Sequence, residues 1–262
     1  MDGVNKTLYI PLYGKAFVSK KNIIIRDKRA EEIWSREGFK LKGKSKSKWL
    51  AYYLAMRASV YDEWLEKEIK LCPNAVVIHI GCGLDSRIER VSAKAARWYD
   101  IDFFEVIAER RKYYVEDNYY RMLEADMRND RWREHIDANQ DAIIILEGVS
   151  MYFEPKELTS LLANLSNHFS SVKILMDCYT KKAARLSKYK NPINDVGVTT
   201  VYGYDSPSKI VEGLGLELIS EHNMTPQKYV NQLRGAEKFM FKRLFAGKFA
   251  KSLYKMYEYK KA

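Results

Sequence analysis

The spacing of apolar positions changes once along the chain, near residue 70. Before it, apolar residues recur at helical intervals. Asp27-Lys-Arg-Ala-Glu-Glu-Ile-Trp34 opens on a capping side chain and continues at that spacing. Trp49, Tyr52, Tyr53, Met56, Val60 and Trp64 follow the i, i+3, i+4 rule across residues 48–65. The Gly- and Lys-rich stretch between them, residues 38–48, predicts a mobile loop. After residue 70, short continuous apolar runs alternate with amphipathic ones. Strands are expected at 75–80, 96–102, 120–125, 141–147, 172–178 and 216–223, and helices at 85–95, 104–114, 155–169 and 207–213. Residues 253–259 alternate and predict a final antiparallel strand. Strands separated by helices give right-handed crossovers and a mostly parallel sheet covered on both faces. The expectation is an α/β fold with a helical segment, 1–70, preceding a core, 71–262.

The strand ends carry the chemistry. Ala75-Val-Val-Ile-His-Ile80 stops at Gly81-Cys-Gly83, and a Gly-x-Gly turn after a parallel strand lets a ligand approach the backbone closely. Asp102, 19 positions after Gly83, ends the second strand, where a carboxylate accepts ribose hydroxyls. Asp100 competes, since alternation puts both on one side of the strand, but Asp102 lies nearer the carboxyl edge. After the third strand, Asp126 can accept from an exocyclic adenine amine while Met127 covers the ring with polarisable surface. After the fourth, Glu147 can receive an ammonium group or shape the reacting centre. A single carboxylate could be a cap or a solvated loop residue. Acids after four consecutive strands, Asp85, Asp102, Asp126 and Glu147, make a stronger pattern.

A ring of carboxylates suits a cationic cofactor. Asp85, within the turn, places negative charge where a dinucleotide pyrophosphate would lie. S-adenosylmethionine, with its ribose, adenine, ammonium and sulfonium, matches the ring, and S-adenosylhomocysteine would be the product. The cofactor's carboxylate then needs a cation, for which Arg57 is the candidate.

At these residues the chain resembles the leucine carboxyl methyltransferase family. It resembles most its bacterial branch of O-methyltransferases associated with polyketide biosynthesis. The resembling segments include Leu8-Tyr-Ile-Pro-Leu-Tyr-Gly-Lys-Ala16, Met56-Arg-Ala58, Ile78-His-Ile-Gly-Cys-Gly-Leu-Asp-Ser-Arg87 and Trp98-Tyr-Asp-Ile-Asp-Phe103. Ala125-Asp126, Leu146-Glu-Gly-Val-Ser-Met-Tyr152 and Met176-Asp-Cys178 extend the resemblance. It implies a class I methyltransferase fold, Rossmann-like, with a seven-stranded, mostly parallel sheet and a helical amino-terminal lid. It also implies that Arg57 meets the cofactor carboxylate, that Gly81 and Gly83 approach through their backbone and that Asp102 holds the ribose. Asp126 and Met127 would sit at the adenine, and Glu147 near the methionine amine. Phe104 stands where relatives usually have Pro, and segments 38–48 and 191–203 match no substrate pattern.

The implied reaction is in-line displacement at a sulfonium methyl by an acceptor oxygen, accelerated by orientation and desolvation. A carboxylate acceptor needs no base, whereas a phenol or enol benefits from one. No catalytic base is assigned: His79 reads as a core imidazole, and His135, His168 and His222 stand in no compelling setting. Tyr152 either lines the acceptor pocket or stacks in the core, and Asp177 either faces the acceptor or caps the next segment.

Composition narrows the classes. With 47% hydrophobic residues the chain can bury a sizeable core, and no apolar run approaches the roughly 20 residues of a membrane span. No signal peptide is recognised, and Cys72, Cys82 and Cys178 lack metal-like spacing, so a cytoplasmic protein without a metal or membrane partner is expected. The net charge of +11 is spread along the chain, with concentrations at 40–48 and 238–261, and reads as a solvated surface rather than a nucleic-acid platform. An NAD(P)-dependent oxidoreductase is opposed by Asp85 and by the lack of a Tyr-x-x-x-Lys pair, since Tyr179 and Lys182 are three apart. Small-molecule O-methylation ranks first, with protein carboxyl methylation as the alternative within the same chemistry.

Overall fold

The computed structural model describes residues 5–37, 41, 43–129, 131–190 and 201–262. Three helices come first: α1 (Tyr9–Ser19), α2 (Lys28–Glu37) and α3 (Lys48–Leu71). The helix α1 was not expected from apolar spacing. Its Pro11 sits in the first turn, where the lost N–H has no intrahelical partner to miss. Of the expected loop, residues 38–40 and 42 lie outside the described residues, and Gly43–Lys46 form a single 3-10 turn. Tyr52, Met56, Val60 and Trp64 of α3 are buried, as their spacing requires.

The core alternates strand and helix: β1 (Val76–Ile80), α4 (Arg87–Arg90), β2 (Arg97–Asp102), α5 (Phe104–Arg110), β3 (Tyr120–Glu124), β4 (Asp141–Leu146) and α6 (Pro155–His168). Then follow β5 (Ser171–Tyr179), α7 (Lys181–Lys190), α8 (Pro207–Ile210) and β6 (Leu216–His222). The chain closes with α9 (Gln227–Val230), α10 (Gly235–Leu244), α11 (Lys248–Lys251) and β7 (Tyr254–Lys261). The seven strands form one sheet in the order β3-β2-β1-β4-β5-β7-β6, parallel except for β7, which runs antiparallel between β5 and β6. This is the mixed seven-stranded α/β sheet that the sequence predicted. Residues 191–200, part of the segment without a recognisable substrate pattern, lie outside the described residues.

Three expected helices are shorter than their patterns, and the one expected at 207–213 covers only Pro207–Ile210. Residues 85–95 form only one turn, α4, because Glu66 of α3 accepts from the backbone N–H groups of Ser92 (2.9 Å) and Ala93 (3.1 Å) and draws the chain away. The second, α5, ends at Arg110, four residues early. Phe104 opens α5 at its first position, the place where proline is also tolerated, so the turn survives the substitution.

Both faces of the sheet are covered. Val76, Ile78 and Ile80 pack with Ile144, Leu146 and α6 on one side, while Val77, Ile143 and Ile145 pack with Tyr61, Trp64 and Leu65 of α3 on the other. Register then positions the chemistry. Ile80 pairs with Ile101 and with Leu146, so the residues following β1, β2 and β4 emerge side by side at the carboxyl edge. The strand order reverses direction across β1 and β4, the place where open α/β sheets form a crevice. Among the described residues no helix is long and apolar enough to cross a membrane.

Candidate active site

The turn after β1 is held from two directions. Gly81 and Gly83 have φ of +68° and +52°, the left-handed region that favours glycine. A Cβ on Gly81 would stand 2.3 Å from Val149 Cγ2, so this position must also be small. The Gly83 N–H donates to Asp102 Oδ2 and the Phe103 N–H to Asp102 Oδ1, both at 2.8 Å. Burial pushes the Asp102 carboxyl up to about 6, with those two N–H groups and Arg110 opposing only in part. The competing acid, Asp100, is fully buried and accepts from Trp98 Nε1 (2.9 Å), Tyr120 Oη (2.7 Å) and Arg110. Its effect on the turn is indirect, because Arg110 Nη1 donates to the Gly83 carbonyl at 3.0 Å. His79 is buried beside Asp100 and Arg87, and burial lowers its pKa, in keeping with a core imidazole.

After β4 lies a buried charged cluster. Arg57, on α3, donates from Nε to Glu147 Oε1 at 3.0 Å and from Nη1 to Tyr254 Oη at 2.8 Å. Its Nη2 is also 3.0 Å from Glu147 Oε1, and Nη1 is 3.4 Å from Asp177 Oδ2. Gly148, at φ +69°, makes room: a Cβ there would lie 3.2 Å from the guanidinium. Glu147 Oε2 accepts from Arg87 Nη2, and Arg87 Nε reaches Asp62 at 2.6 Å. Burial alone would raise Glu147, but Arg87 and Arg57 hold it down at about 2. Asp177 moves the other way, up to about 6, because burial and the neighbouring Glu147 outweigh Arg57.

The structure corrects two sequence readings. Asp85 does not stand bare in the turn. It pairs with Lys15 of α1 and with Arg90 Nη2 at 3.0 Å, and the Arg87 N–H donates to it at 2.8 Å. Its charge is thus neutralised locally, and electrostatic exclusion of a pyrophosphate by Asp85 loses its basis. Asp177 does not line the cavity over the turn but lies fully buried behind Arg57, where it accepts the Gly148 N–H at 2.8 Å. It supports the loop and the arginine from beneath.

A cavity of about 250 Å³ runs over these groups, lined by Arg57, Gly81, Gly83, Asp102, Asp126, Met127, Glu147 and Tyr152 among others. At one end Met127 is buried in the core with its surface on the cavity, and Asp126 is half-buried, paired with Arg128 Nη1 at 3.1 Å. At the other end four tyrosines, Tyr53, Tyr152, Tyr179 and Tyr254, converge with Leu50, Leu54 and Met151. The roof comes from the amino-terminal segment: Thr7, Leu8 and Pro11 line the same space.

A sequence profile of the leucine carboxyl methyltransferase family matches residues 5–166, well over half of the chain. The chain belongs to the leucine carboxyl methyltransferase family. Its relatives include the tetracenomycin polyketide synthesis O-methyltransferase TcmP of Streptomyces glaucescens, 26% identical over 92% of this chain and 90% of that protein. Another is the S-adenosyl-L-methionine-dependent methyltransferase dpfgK of Gibberella zeae, 27% identical over 80% and 78%. Among solved structures, magnesium protoporphyrin IX methyltransferase from Synechocystis, with bound S-adenosylhomocysteine, superposes with a TM-score of 0.55 at 14% identity, covering 90% of this chain and 93% of that one. An S-adenosylmethionine-dependent methyltransferase from Mesorhizobium loti gives 0.53 at 11% identity, covering 76% and 97%. The fold is that of class I methyltransferases, and this family member is an S-adenosylmethionine-dependent methyltransferase.

Three of its important side chains escaped sequence reasoning. Arg87 and Arg110 are completely buried, and Lys15 nearly so. A charged residue on a short helix ordinarily reads as solvated surface, so spacing gave no warning. The Asp-Ser-Arg ending of the turn was the one signal available for Arg87.

Proposed function

We propose that this methyltransferase transfers the methyl group to an oxygen of a small, largely apolar acceptor, in the manner named for TcmP. The observation that carries the reading is the shape of the cavity: one end is a charged, glycine-lined cradle and the other is walled by four tyrosines and aliphatic side chains.

The residues present fit S-adenosylmethionine. Gly81 and Gly83, in the left-handed region, carry the turn backbone to the cavity wall where a ribose would approach. Asp102, ionised above about pH 6, keeps lone pairs free for two hydroxyls beside the two N–H groups that fix it. Met127 would cover the adenine, with Asp126 at its edge. Arg57 and Glu147 form an opposed charge pair, and the methionyl zwitterion is its complement: carboxylate toward Arg57, ammonium toward Glu147. Pairing also explains how both charges stay buried without ligand, since each already has a partner. When bound, the cofactor supplies an electrophilic methyl carbon on a sulfonium.

The chain's own contribution is orientation and exclusion of water. Burial raises the pKa of the Tyr53, Tyr152 and Tyr254 hydroxyls, so at neutral pH they remain protonated and orient rather than abstract protons. Such a wall suits an acceptor that arrives ionised, a carboxylate or an acidic phenol, held near contact distance from the methyl carbon.

The test is twofold. Calorimetric titration should show S-adenosylhomocysteine binding and no NADH binding. Incubation with radiolabelled S-adenosylmethionine and cell extract should place label in organic-extractable small molecules. Label confined to protein would instead favour carboxyl methylation of a polypeptide, and NADH binding without S-adenosylhomocysteine binding would overturn the cofactor.

A further inference from the structure

The last part of the chain carries a surface that methyl transfer does not use. Between Lys238 and Tyr257 there are six basic residues and no acidic one. The same stretch holds Phe239, Met240, Leu244 and Phe249, whose exposures of 64, 40, 52 and 60% make them four of the nine exposed large hydrophobics described. Single exposed apolar side chains need no explanation, but a cluster among cations does.

The geometry makes the cluster a surface. Helical steps of about 100° place Phe239, Arg243, Met240 and Leu244 on one arc of α10 spanning roughly 140°. The adjoining arc of α10 is committed inward: Phe241 is fully buried and stacks on Phe245, and Glu237 pairs with Lys48 and Tyr52 of α3. Gly247 lies so close that a Cβ would stand 2.8 Å from the Arg243 carbonyl oxygen, so α11 follows in a tight turn. None of the α11 residues is buried. Next to α11 lies α7, with Lys182 Nζ over the Phe249 ring at 4.9 Å and with Arg185 and Leu186 exposed.

We infer that α10 and α11, flanked by α7, form a docking surface for an anionic phospholipid bilayer. Basic side chains interleaved with exposed aromatic and aliphatic ones are the composition of an interfacial element: the cations meet the headgroups and the rings enter the acyl boundary. Exposed phenylalanines also stack the bases of single-stranded nucleic acid, but Met240, Leu244 and Leu186 beside them offer no stacking face and fit an acyl boundary. The surface also adjoins the cavity. Tyr179 precedes α7 by two residues, Tyr254 follows α11 by three, and both line the cavity wall. Docking places that wall next to the bilayer, from which an apolar acceptor could partition. That no helix among the described residues is long and apolar enough to span a bilayer is no objection, because such an element lies on the membrane and does not cross it.

The experiment is co-sedimentation of the full-length protein with vesicles of phosphatidylglycerol and phosphatidylcholine at equal proportions, against pure phosphatidylcholine. Binding at least tenfold tighter to the anionic vesicles, weakened by raising salt from 50 to 500 mM, is expected. The double variants Phe239→Glu/Phe249→Glu and Lys242→Glu/Arg243→Glu should each lose at least tenfold, while circular dichroism and the melting temperature remain those of the parent. Absence of vesicle binding by the folded parent, or unchanged binding by both variants, overturns the proposal. So does a concentration-dependent dimer in sedimentation that the phenylalanine variant abolishes, or tighter binding to a single-stranded oligonucleotide than to vesicles.

Discussion

Replacing Asp102 by Asn tests the cradle most directly, because the change keeps size and shape and removes only charge. In the parent, each carboxylate oxygen accepts one backbone N–H at 2.8 Å and retains lone pairs for a ribose hydroxyl. Asparagine has one acceptor oxygen, so its amide N–H₂ must face either the Gly83 or the Phe103 N–H. A hydrogen bond to a charged partner contributes about 1.5–3 kcal/mol, so loss of the ribose contacts weakens binding by roughly 3–4 kcal/mol, a factor of about 100–1,000. Apo stability should change far less, because removing a carboxylate whose pKa burial has raised offsets part of the lost backbone bonding. The assay is the melting temperature with S-adenosylhomocysteine at about 100 times the parent's Kd. Mass action then gives the parent about 2.7 kcal/mol, or roughly 5–10 °C for a chain of this size, and the variant about 1 °C or less.

Acidification gives the same test without mutation. Asp102 titrates at about 6, and the ligand prefers the ionised form, so affinity holds above pH 7 and falls up to tenfold per unit below 6. Asp177, which touches Arg57, titrates in the same range, so any slope left in Asp102→Asn belongs to it. A variant that keeps the full ligand-induced rise in melting temperature would refute the assignment of Asp102 to the cofactor.

Two further changes probe the supports. Gly81→Ala must adopt φ +68° and meet Val149 Cγ2 at 2.3 Å, so thermal denaturation should show a loss of about 2–5 kcal/mol; a drop under 2 °C would mean the turn relaxes freely. Glu147→Gln leaves Arg57 and Arg87 without their shared carboxylate and should cost about 3–5 kcal/mol at pH 7. Because the folded pKa of Glu147, about 2, lies below its ordinary value, this stabilisation is present above pH 4.5 and fades as pH falls toward 2. Urea denaturation from pH 7 to 3.5 should therefore show the gap between parent and variant narrowing below pH 4.5, and a constant gap would contradict the pairing.

Much was legible in the amino-acid order alone. Apolar runs of strand length, a glycine turn and acids at strand ends are local signals, and local backbone preference decides them. They were enough for the α/β class, the crossover pattern and the positions of Gly81, Gly83, Asp102, Asp126, Met127 and Glu147 on one cavity. Parallel register explains the success, since residues just past successive strands must emerge on one edge. What each buried charge does was decided only by tertiary structure. Asp85 and Asp102 look alike in sequence and both border the cavity, yet one is neutralised by Lys15 and Arg90 while the other is held by two backbone N–H groups. Asp177 resembles Glu147 as an acid late on a strand, yet it supports Arg57 from behind. These differences depend on which cations α1, α3 and α4 bring from distant parts of the chain. Burial then turns such contacts into pKa shifts of opposite sign, and no periodicity along the chain records them.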